Sequence, residues 1–200
     1  MLLLGLGLLQ PSYHREYRLW GGLLLAVGLF WRCWGVAAWY HGNPQQDSRR
    51  LLTREGPYRV CRNPRYFGNL WLGLGGCLWA GLPLLVPGFL FSWALVHVPV
   101  ICFEEIHLRQ RHGCDFERYC GQTPAFPLAP SWQWLDQLGG LRWDRAFLAE
   151  YSTIQGWVLA ASLIGLWQAR HTGLWSISLV MLMVGIGLRQ LRTRMRRTSC

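Results

Sequence analysis

The sequence predicts an all-α fold, a polytopic integral membrane helical bundle with about five transmembrane helices. Three observations support this prediction. Hydrophobic residues fill 52% of the 200 positions, and Trp, which favours the membrane–water boundary, occurs 13 times. The apolar residues form separate runs of helical length, and most charges of this chain, whose net charge is +10, lie between the runs. Such a pattern fits the flanks of membrane spans and contact with anionic lipids, so we expect no nucleic-acid partner.

The first predicted span is Leu19–Tyr40, which has aromatic residues near both ends. It contains one charge, Arg32. A charge inside a bilayer costs at least ~2.5 kcal/mol, so Arg32 should either face the protein interior or extend to the nearer interface. The loop that follows, His41–Phe67, carries six Arg against two acidic residues. The positive-inside rule therefore places this loop in the cytoplasm.

An uncharged segment, Leu70–Phe103, predicts the next two helices. Gly81-Leu82-Pro83 interrupts the segment near its midpoint and predicts a reversal of the chain. Each arm would hold a helix of about 15 residues, long enough to cross only the thinner part of a bilayer. Four glycines on the first arm would allow close helix approach, namely Gly68, Gly73, Gly75 and Gly76.

The remaining sequence predicts surface helices and a second hairpin. Glu104–Tyr119 alternates apolar and charged residues and predicts an amphipathic helix outside the bilayer, while residues 131–149 combine Trp with Arg and predict an interfacial stretch. Two further apolar runs, Gln155–Ala169 and Leu174–Leu188, predict a second transmembrane hairpin. The Arg-rich tail beyond them places the C-terminus in the cytoplasm.

Length and composition bound the rest of the prediction. A chain of 200 residues fits one domain. Its basic side chains are all Arg, which is typical of a GC-rich bacterial genome, so we expect a bacterial inner-membrane protein. The 7 Cys are scattered without metal-ligand spacing, and we predict no metal site.

Charged groups bracket the uncharged segment. A turn-forming basic stretch at residues 56–69, here called the basic turn, precedes it, and an acidic pair, Glu104 and Glu105, follows it. If the segment enters the bilayer and returns, both groups meet at one face. Neighbouring residues on a helix lie about 100° apart, so one carboxylate can face inward while the other supports the turn. Two carboxylates at a membrane boundary are costly unless paired, and we predict that this meeting point is the active site.

These motifs, in this order and spacing, resemble the C-terminal core of the isoprenylcysteine carboxyl methyltransferase and phospholipid N-methyltransferase superfamily. The motifs are Gly56-Pro57-Tyr58-Arg59, Arg62-Asn63-Pro64-Arg65-Tyr66-Phe67-Gly68, Glu104-Glu105, Gly113, Tyr119-Cys120, Thr123-Pro124 and Pro127. Asn63 stands where His is commoner in that superfamily. The matching core covers residues 19–130, and the hairpin at residues 151–191 lies outside it.

The resemblance implies a membrane methyltransferase that uses S-adenosylmethionine in a cytoplasmic cofactor-binding region. A lipophilic acceptor would enter from the bilayer: a phospholipid amine, an isoprenoid lipid, or a hydrophobic thiol or carboxylate. Carried over position by position, Glu104, Glu105 and Arg62 would be catalytic. The cofactor would contact Arg62, Asn63, Pro64, Tyr66, Gly68, Glu104 and Glu105. Arg32 and His97 are candidates for contact with the acceptor.

Two other functions fit parts of the pattern. A similar turn and tail occur in membrane sterol reductases, which use a nicotinamide cofactor but typically have a longer N-terminal bundle and no adjacent Glu-Glu pair at this position. The chain could also be a non-catalytic membrane scaffold that kept the fold, since Asn63 and the C-terminal hairpin depart from the pattern.

Overall fold

The protein, described by a computed structural model, contains helices and no strand in the residues the structure describes, which are 15–42, 51–127, 138–172 and Met183. The five α-helices there are α1 (Arg15–Gly42), α2 (Pro64–Trp79), α3 (Val86–His112), α4 (Cys114–Gln122) and α5 (Trp143–Thr172). Short 3-10 helices, Gly56–Arg59 and Pro83–Leu85, precede α2 and α3. The prediction of an all-α chain is confirmed for these residues.

Two of the described helices are long and apolar enough to cross a membrane. One covers Glu16–Gly42 and the other covers Pro83–His112. Half of the most apolar stretch of the first is buried in the protein, against 6% for the second. Helix α3 therefore presents its apolar surface outward, whereas α1 packs inside the bundle. The predicted second arm of the C-terminal hairpin, Leu174–Leu188, lies outside the described residues apart from Met183.

Glycines let α1 and α2 pack along each other at close range. A Cβ atom on Gly28 would lie 2.8 Å from the Gly68 carbonyl oxygen, and one on Gly75 would lie 2.8 Å from the Gly21 carbonyl oxygen. The two contacts are one heptad apart on both helices, so they fall on one face of each. The predicted close approach at Gly68 and Gly75 is confirmed.

The other two glycines of that set face different neighbours. A Cβ atom on Gly73 would overlap the Phe89 ring of α3, and one on Gly76 would lie 2.9 Å from the Trp157 ring of α5. Helix α2 is therefore surrounded by α1, α3 and α5, and its glycines make room on each side. The Trp79 side chain adds a hydrogen bond from its indole N–H to the Ala161 carbonyl, 3.2 Å away.

The helix boundaries after the hairpin differ from the prediction. Helix α3 has 27 residues, contains Pro99, and runs without a break through the acidic pair to His112. The separate helix predicted over 104–119 is therefore wrong. A change from apolar to polar side chains alters what surrounds a helix, but it does not interrupt the helical backbone. The break instead falls at Gly113, whose φ of 50° is costly for residues with a Cβ atom.

Helix α5 also begins earlier than the apolar pattern indicates. It starts at Trp143, not at Gln155, so part of the predicted interfacial stretch is helical and packed. Ala146 is fully buried beside Val36 and Ala37 of α1. The first turns of α5 therefore pack against the last turns of α1, and this packing brings Glu150 into the bundle.

Candidate functional site

The basic turn has its shape because of two prolines and one glycine. Gly56 has φ of 58°, and a Cβ atom there would lie 2.9 Å from the Ala38 side chain. Pro57 lies in the first turn of the 3-10 helix and Pro64 begins α2, positions where the missing N–H of proline costs nothing. The turn presents Arg62 and Asn63 toward α3, where both donate hydrogen bonds to Glu105.

Arg62 connects the basic turn to the acidic pair. Its Nε donates to Glu105 at 3.0 Å, and its Nη2 lies 3.3 Å from the other carboxylate oxygen. The same guanidinium donates to the Thr123 carbonyl at 2.6 Å. Burial alone would lower the pKa of Arg62, but the hydrogen bond and charge of Glu105 outweigh it and raise that pKa above its ordinary value.

Asn63 supports the same carboxylate. Its Nδ2 donates to Glu105 at 3.3 Å and to the Ala125 carbonyl at 3.4 Å. The residue is buried, with 7% of its surface exposed, so its amide needs these partners. Asn63 thus supplies a donor to the acidic pair where the superfamily more often has His.

The two acidic residues have different surroundings. Glu105 accepts from Arg62 and Asn63 and is largely buried. Glu104 is exposed and accepts a hydrogen bond from the Tyr66 hydroxyl at 2.8 Å, and no other partner is found for it among the described residues. Glu105 therefore supports the turn, whereas Glu104 is available to a ligand. This is the division that the 100° step of a helix predicts.

A cavity of about 540 Å³ lies between the basic turn and the polar C-terminal part of α3, which contains the acidic pair. Seven of the predicted site residues line it, namely Arg32, Arg62, Asn63, Pro64, Tyr66, Glu104 and Glu105. The volume falls within the range of about 300–1,000 Å³ typical of small-molecule sites. The basic turn and the acidic pair are thus neighbours around one concave surface.

Two predicted site residues do not line this cavity. Gly68 faces α1, where a Cβ atom would lie 2.6 Å from the Arg32 Cγ atom. Its place is explained by helix packing, not by cofactor contact. His97 lies deeper, stacked on Trp93 with ring centroids 4.9 Å apart. It contacts the site through the Tyr66 ring, whose centroid is 5.5 Å away.

Arg32 faces the protein interior and does not extend to the interface. Its Nε and Nη2 donate to the Glu150 carboxylate at 2.9 and 2.7 Å, in a bidentate pair with side chains 12% and 4% exposed. Its Nη1 donates to the Asn69 side-chain oxygen. Most of its donors are therefore engaged within the protein, which disfavours the predicted direct contact with the acceptor.

Glu150 and Asn69 are residues of the site region that the sequence did not single out. One signal was present, because an Arg inside a membrane span requires a counter-charge. The chain has only 10 Asp and Glu residues, of which Glu150 is the last, so few carboxylates could have met that requirement. Which one does so depends on how α5 packs on α1.

Positive charge dominates the cavity lining. Arg62 is paired with Glu105, and Arg32 is paired with Glu150. Arg65, 56% exposed, lies 4.0 Å from Glu150, and Arg111 has no ion-pair partner among the described residues. Arg111 is thus available for an anionic group of a ligand, and the exposed Arg65 makes only a long ion-pair contact with Glu150.

Buried hydroxyl and thiol groups form hydrogen bonds that support the basic turn. The Tyr119 hydroxyl donates to the Tyr58 carbonyl at 2.7 Å, and the Cys61 thiol donates to the Ala125 carbonyl at 3.4 Å. Burial raises the pKa of Cys61 to about 12 and raises the pKa values of Tyr58 and Tyr119 well above their usual range. These hydroxyl and thiol groups are uncharged at neutral pH and serve as structural supports.

Within the described ranges, no three His, Cys, Asp or Glu side chains are grouped to hold a metal ion.

The helices and the cavity define a class: a helical protein with a polar, charge-lined cavity next to a helix that is long and apolar enough to cross a membrane. A model of the phospholipid methyltransferase family matches residues 17–114. This part of the chain, which contains α2, α3 and nearly all of α1, is similar to that family. The match confirms the resemblance to membrane methyltransferases. No curated protein and no solved structure matches the chain.

The matched region does not include everything that forms the site. It contains the basic turn and the acidic pair, but it ends at the first residue of α4 and does not reach α5. Thr123, which accepts from Arg62, and Glu150, which pairs with Arg32, both lie beyond it.

Proposed function

We propose that the protein is an S-adenosylmethionine-dependent methyltransferase whose acceptor is a lipophilic, membrane-associated molecule. The family is one of methyltransferases. The observation that carries the proposal is the meeting of the basic turn and the acidic pair around one cavity, with Arg62 bonded to Glu105 and Tyr66 bonded to Glu104.

The cavity lining fits the charges of the proposed cofactor. The cofactor carries an ammonium group, a carboxylate and a cationic sulfur. Glu104, exposed and bonded to Tyr66, suits the ammonium group, and Arg111 or Arg65 suits the carboxylate. Arg62, Asn63 and Glu105 then act by holding the wall of the cavity in place.

The bound cofactor would supply an electrophilic methyl group. The chain's own tasks are to align the acceptor and to keep water out. An amine acceptor must also lose a proton, and Glu104 would receive it. An acceptor that is already ionised, such as a thiolate or carboxylate, needs no base, and Glu104 would then serve in binding alone.

The acceptor would reach the cavity from the bilayer. Phe103 lines the cavity and is 63% exposed on the outward apolar surface of α3, so it belongs to both surfaces. An acyl or isoprenoid chain lying along α3 could therefore place its polar end beside Glu104. A phospholipid amine, an isoprenoid lipid or a hydrophobic thiol or carboxylate fits this route.

The proposal includes an arrangement in the membrane. The chain would cross a bacterial inner membrane about five times, with the cavity and the C-terminus on the cytoplasmic side. The Arg residues of the basic turn and of the C-terminal tail support that orientation through the positive-inside rule. The membrane-family match and the two apolar helices support the membrane location itself.

Ligand binding by the purified protein tests the cofactor. S-adenosylhomocysteine should raise its melting temperature, whereas NADPH should not, which separates a methyltransferase from a reductase. Glu104→Gln should weaken the S-adenosylhomocysteine effect. Glu117→Gln, an equivalent change on the exposed surface of α4, is the matched control and should leave the effect unchanged.

The outcomes of this test are distinct. Stabilisation by NADPH alone would replace the methyltransferase with a reductase, and no response to either ligand would favour a non-catalytic scaffold. Lipid extracts from a deletion strain then identify the acceptor, because mass spectrometry should show the loss of a methylated lipid and accumulation of its unmethylated precursor.

A further inference from the structure

A chain of side-chain contacts joins α5 to the acidic pair. Glu150 binds Arg32, Arg32 binds Asn69, and Asn69 contacts His97. We propose that Glu150 is a positioning residue for the site, which fixes Glu104 through this chain of contacts. The proposal rests on the proposed function only for its effect on ligand binding, since the contacts themselves are testable without a ligand.

The first step is the orientation of Arg32. Glu150 engages both Nε and Nη2 of the guanidinium, a two-point contact that fixes the plane of the group. Glu150 is 3% exposed, so the carboxylate is itself held by its surroundings. With one edge of Arg32 occupied, the remaining Nη1 points to Asn69.

The second step is the orientation of the Asn69 amide. Because Arg32 is a donor only, it accepts nothing and must face the carbonyl oxygen of Asn69. The NH₂ group of Asn69 then faces His97 Nε2 at 3.2 Å. His97 Nδ1 lies 3.0 Å from the Trp93 carbonyl and must be the protonated nitrogen. Arg32 therefore determines the tautomer of His97 indirectly, through the Asn69 amide that lies between them.

The third step leads from His97 to Glu104. The His97 ring is held between Trp93, on which it stacks, and the edge of the Tyr66 ring at 5.5 Å. The Tyr66 hydroxyl donates to Glu104 at 2.8 Å. A His97 ring fixed in one orientation keeps Tyr66 in place, and Tyr66 in turn holds the carboxylate that faces the cavity.

A purely structural role for Glu150 and the proposed positioning role predict different results for a double variant that removes both Glu150 and Arg32. If Glu150 only neutralises Arg32, replacing both with apolar residues should leave the site unchanged. Replacing a buried ion pair with well-packed apolar residues is often neutral or stabilising, so Arg32→Met with Glu150→Leu should fold. The double variant removes the contact chain without leaving a buried charge.

Side-chain nitrogen NMR of the 15N-histidine-labelled protein tests the contacts. Of the 6 His, His97 is assigned by His97→Gln. In the wild type, its Nδ1 should be protonated and its Nε2 unprotonated, and the double variant should average the two tautomers. Asp144→Asn, on the exposed first turn of α5, is the control and should leave the spectrum unchanged. A folded double variant with the wild-type His97 spectrum would overturn the proposal.

Ligand binding tests the consequence for the site. The double variant should bind S-adenosylhomocysteine roughly threefold to tenfold more weakly than the wild type, at an unchanged melting temperature without ligand. Equal affinity in the two proteins would overturn the positioning role. If the wild type itself fails to bind, the proposed function fails, and the NMR result still decides whether the Glu150–Arg32 pair controls His97.

Discussion

The Arg62 guanidinium and the Glu105 carboxylate lie 3.0 Å apart, although 43 positions and the α2–α3 hairpin separate them in the chain. The Arg62 guanidinium also donates to the carbonyls of Cys120 and Thr123, and the Arg62 backbone N–H donates to the Pro124 carbonyl. One side chain therefore connects the basic turn, α3 and the segment after α4. The cavity keeps its shape because these three segments cannot move independently.

The Arg62–Glu105 pair should couple in a double-mutant cycle. The two side chains are 15% and 25% exposed, so removing one leaves a partly buried charge without its partner. We expect Arg62→Leu or Glu105→Leu to lower the free energy of unfolding by roughly 1–3 kcal/mol. The double variant should lose less than the sum of the two. Denaturant unfolding in detergent measures these values.

The control for this cycle is an exposed ion pair. Asp115 and Arg118 lie 3.8 Å apart with both side chains more than half exposed. Their coupling should be at most about 1 kcal/mol and should fall with added salt. Strictly additive effects of the Arg62 and Glu105 substitutions would show that the contact contributes nothing to stability.

Gly68→Ala should be strongly destabilising. A methyl group at Gly68 would lie 2.6 Å from the Arg32 Cγ atom and 2.8 Å from the Gly28 carbonyl, so α1 and α2 must separate. We expect a loss of about 1–3 kcal/mol or more in the free energy of unfolding. Gly88→Ala on α3 is the matched control, because nothing lies within 4 Å of its added methyl group. Equal stability of the two variants would contradict the close packing of α1 and α2.

Stability should fall at alkaline pH because buried acids of the turn must stay protonated. The pKa of Cys61 is raised from 9.0 to about 12 in the folded protein. Between these values the folded state holds a proton that the unfolded state has lost, so stability is complete below pH 9 and declines as pH rises toward 12. Melting temperatures recorded from about pH 7 to about pH 11 measure the first part of this decline.

Cys61→Ala should reduce the steepness of that decline, because it removes one of the groups that cause it. Tyr58 and Tyr119, whose pKa values are also raised by burial, should contribute to what remains. A variant with the same dependence on pH as the wild type would exclude Cys61 as a contributor.

The outward surface of α3 should be covered by lipid. Phe91 is 70% exposed in the described structure, in the more apolar of the two membrane-length helices. Phe91→Cys should therefore resist a water-soluble maleimide in intact membranes, whereas the native Cys114, exposed at the start of α4, should react. Mass spectrometry of the labelled peptides compares the two sites. Rapid labelling at position 91 would place α3 outside the bilayer.

The sequence predicted the elements of the site that depend on local pattern. The prolines and Gly56 indicated the turn, and the uncharged segment between Leu70 and Phe103 indicated a hairpin that returns to the same face. Together they brought Arg62 and Tyr66 toward the acidic pair. The helix ends were predicted less well, because a helix continues past a change in polarity until a residue such as Gly113 changes the backbone.

What the sequence alone determined is the helical class, the close helix approach at the glycines of α2, and the bracketing of a hairpin by opposite charges. These follow from composition and short-range spacing, which set the periodicity and the turns. The tertiary structure alone decided that Arg32 pairs with Glu150, 118 positions away, and that Gly68 and His97 do not line the cavity. No local pattern encodes such pairings, because they depend on how whole helices pack and on which carboxylate that packing brings to a buried charge.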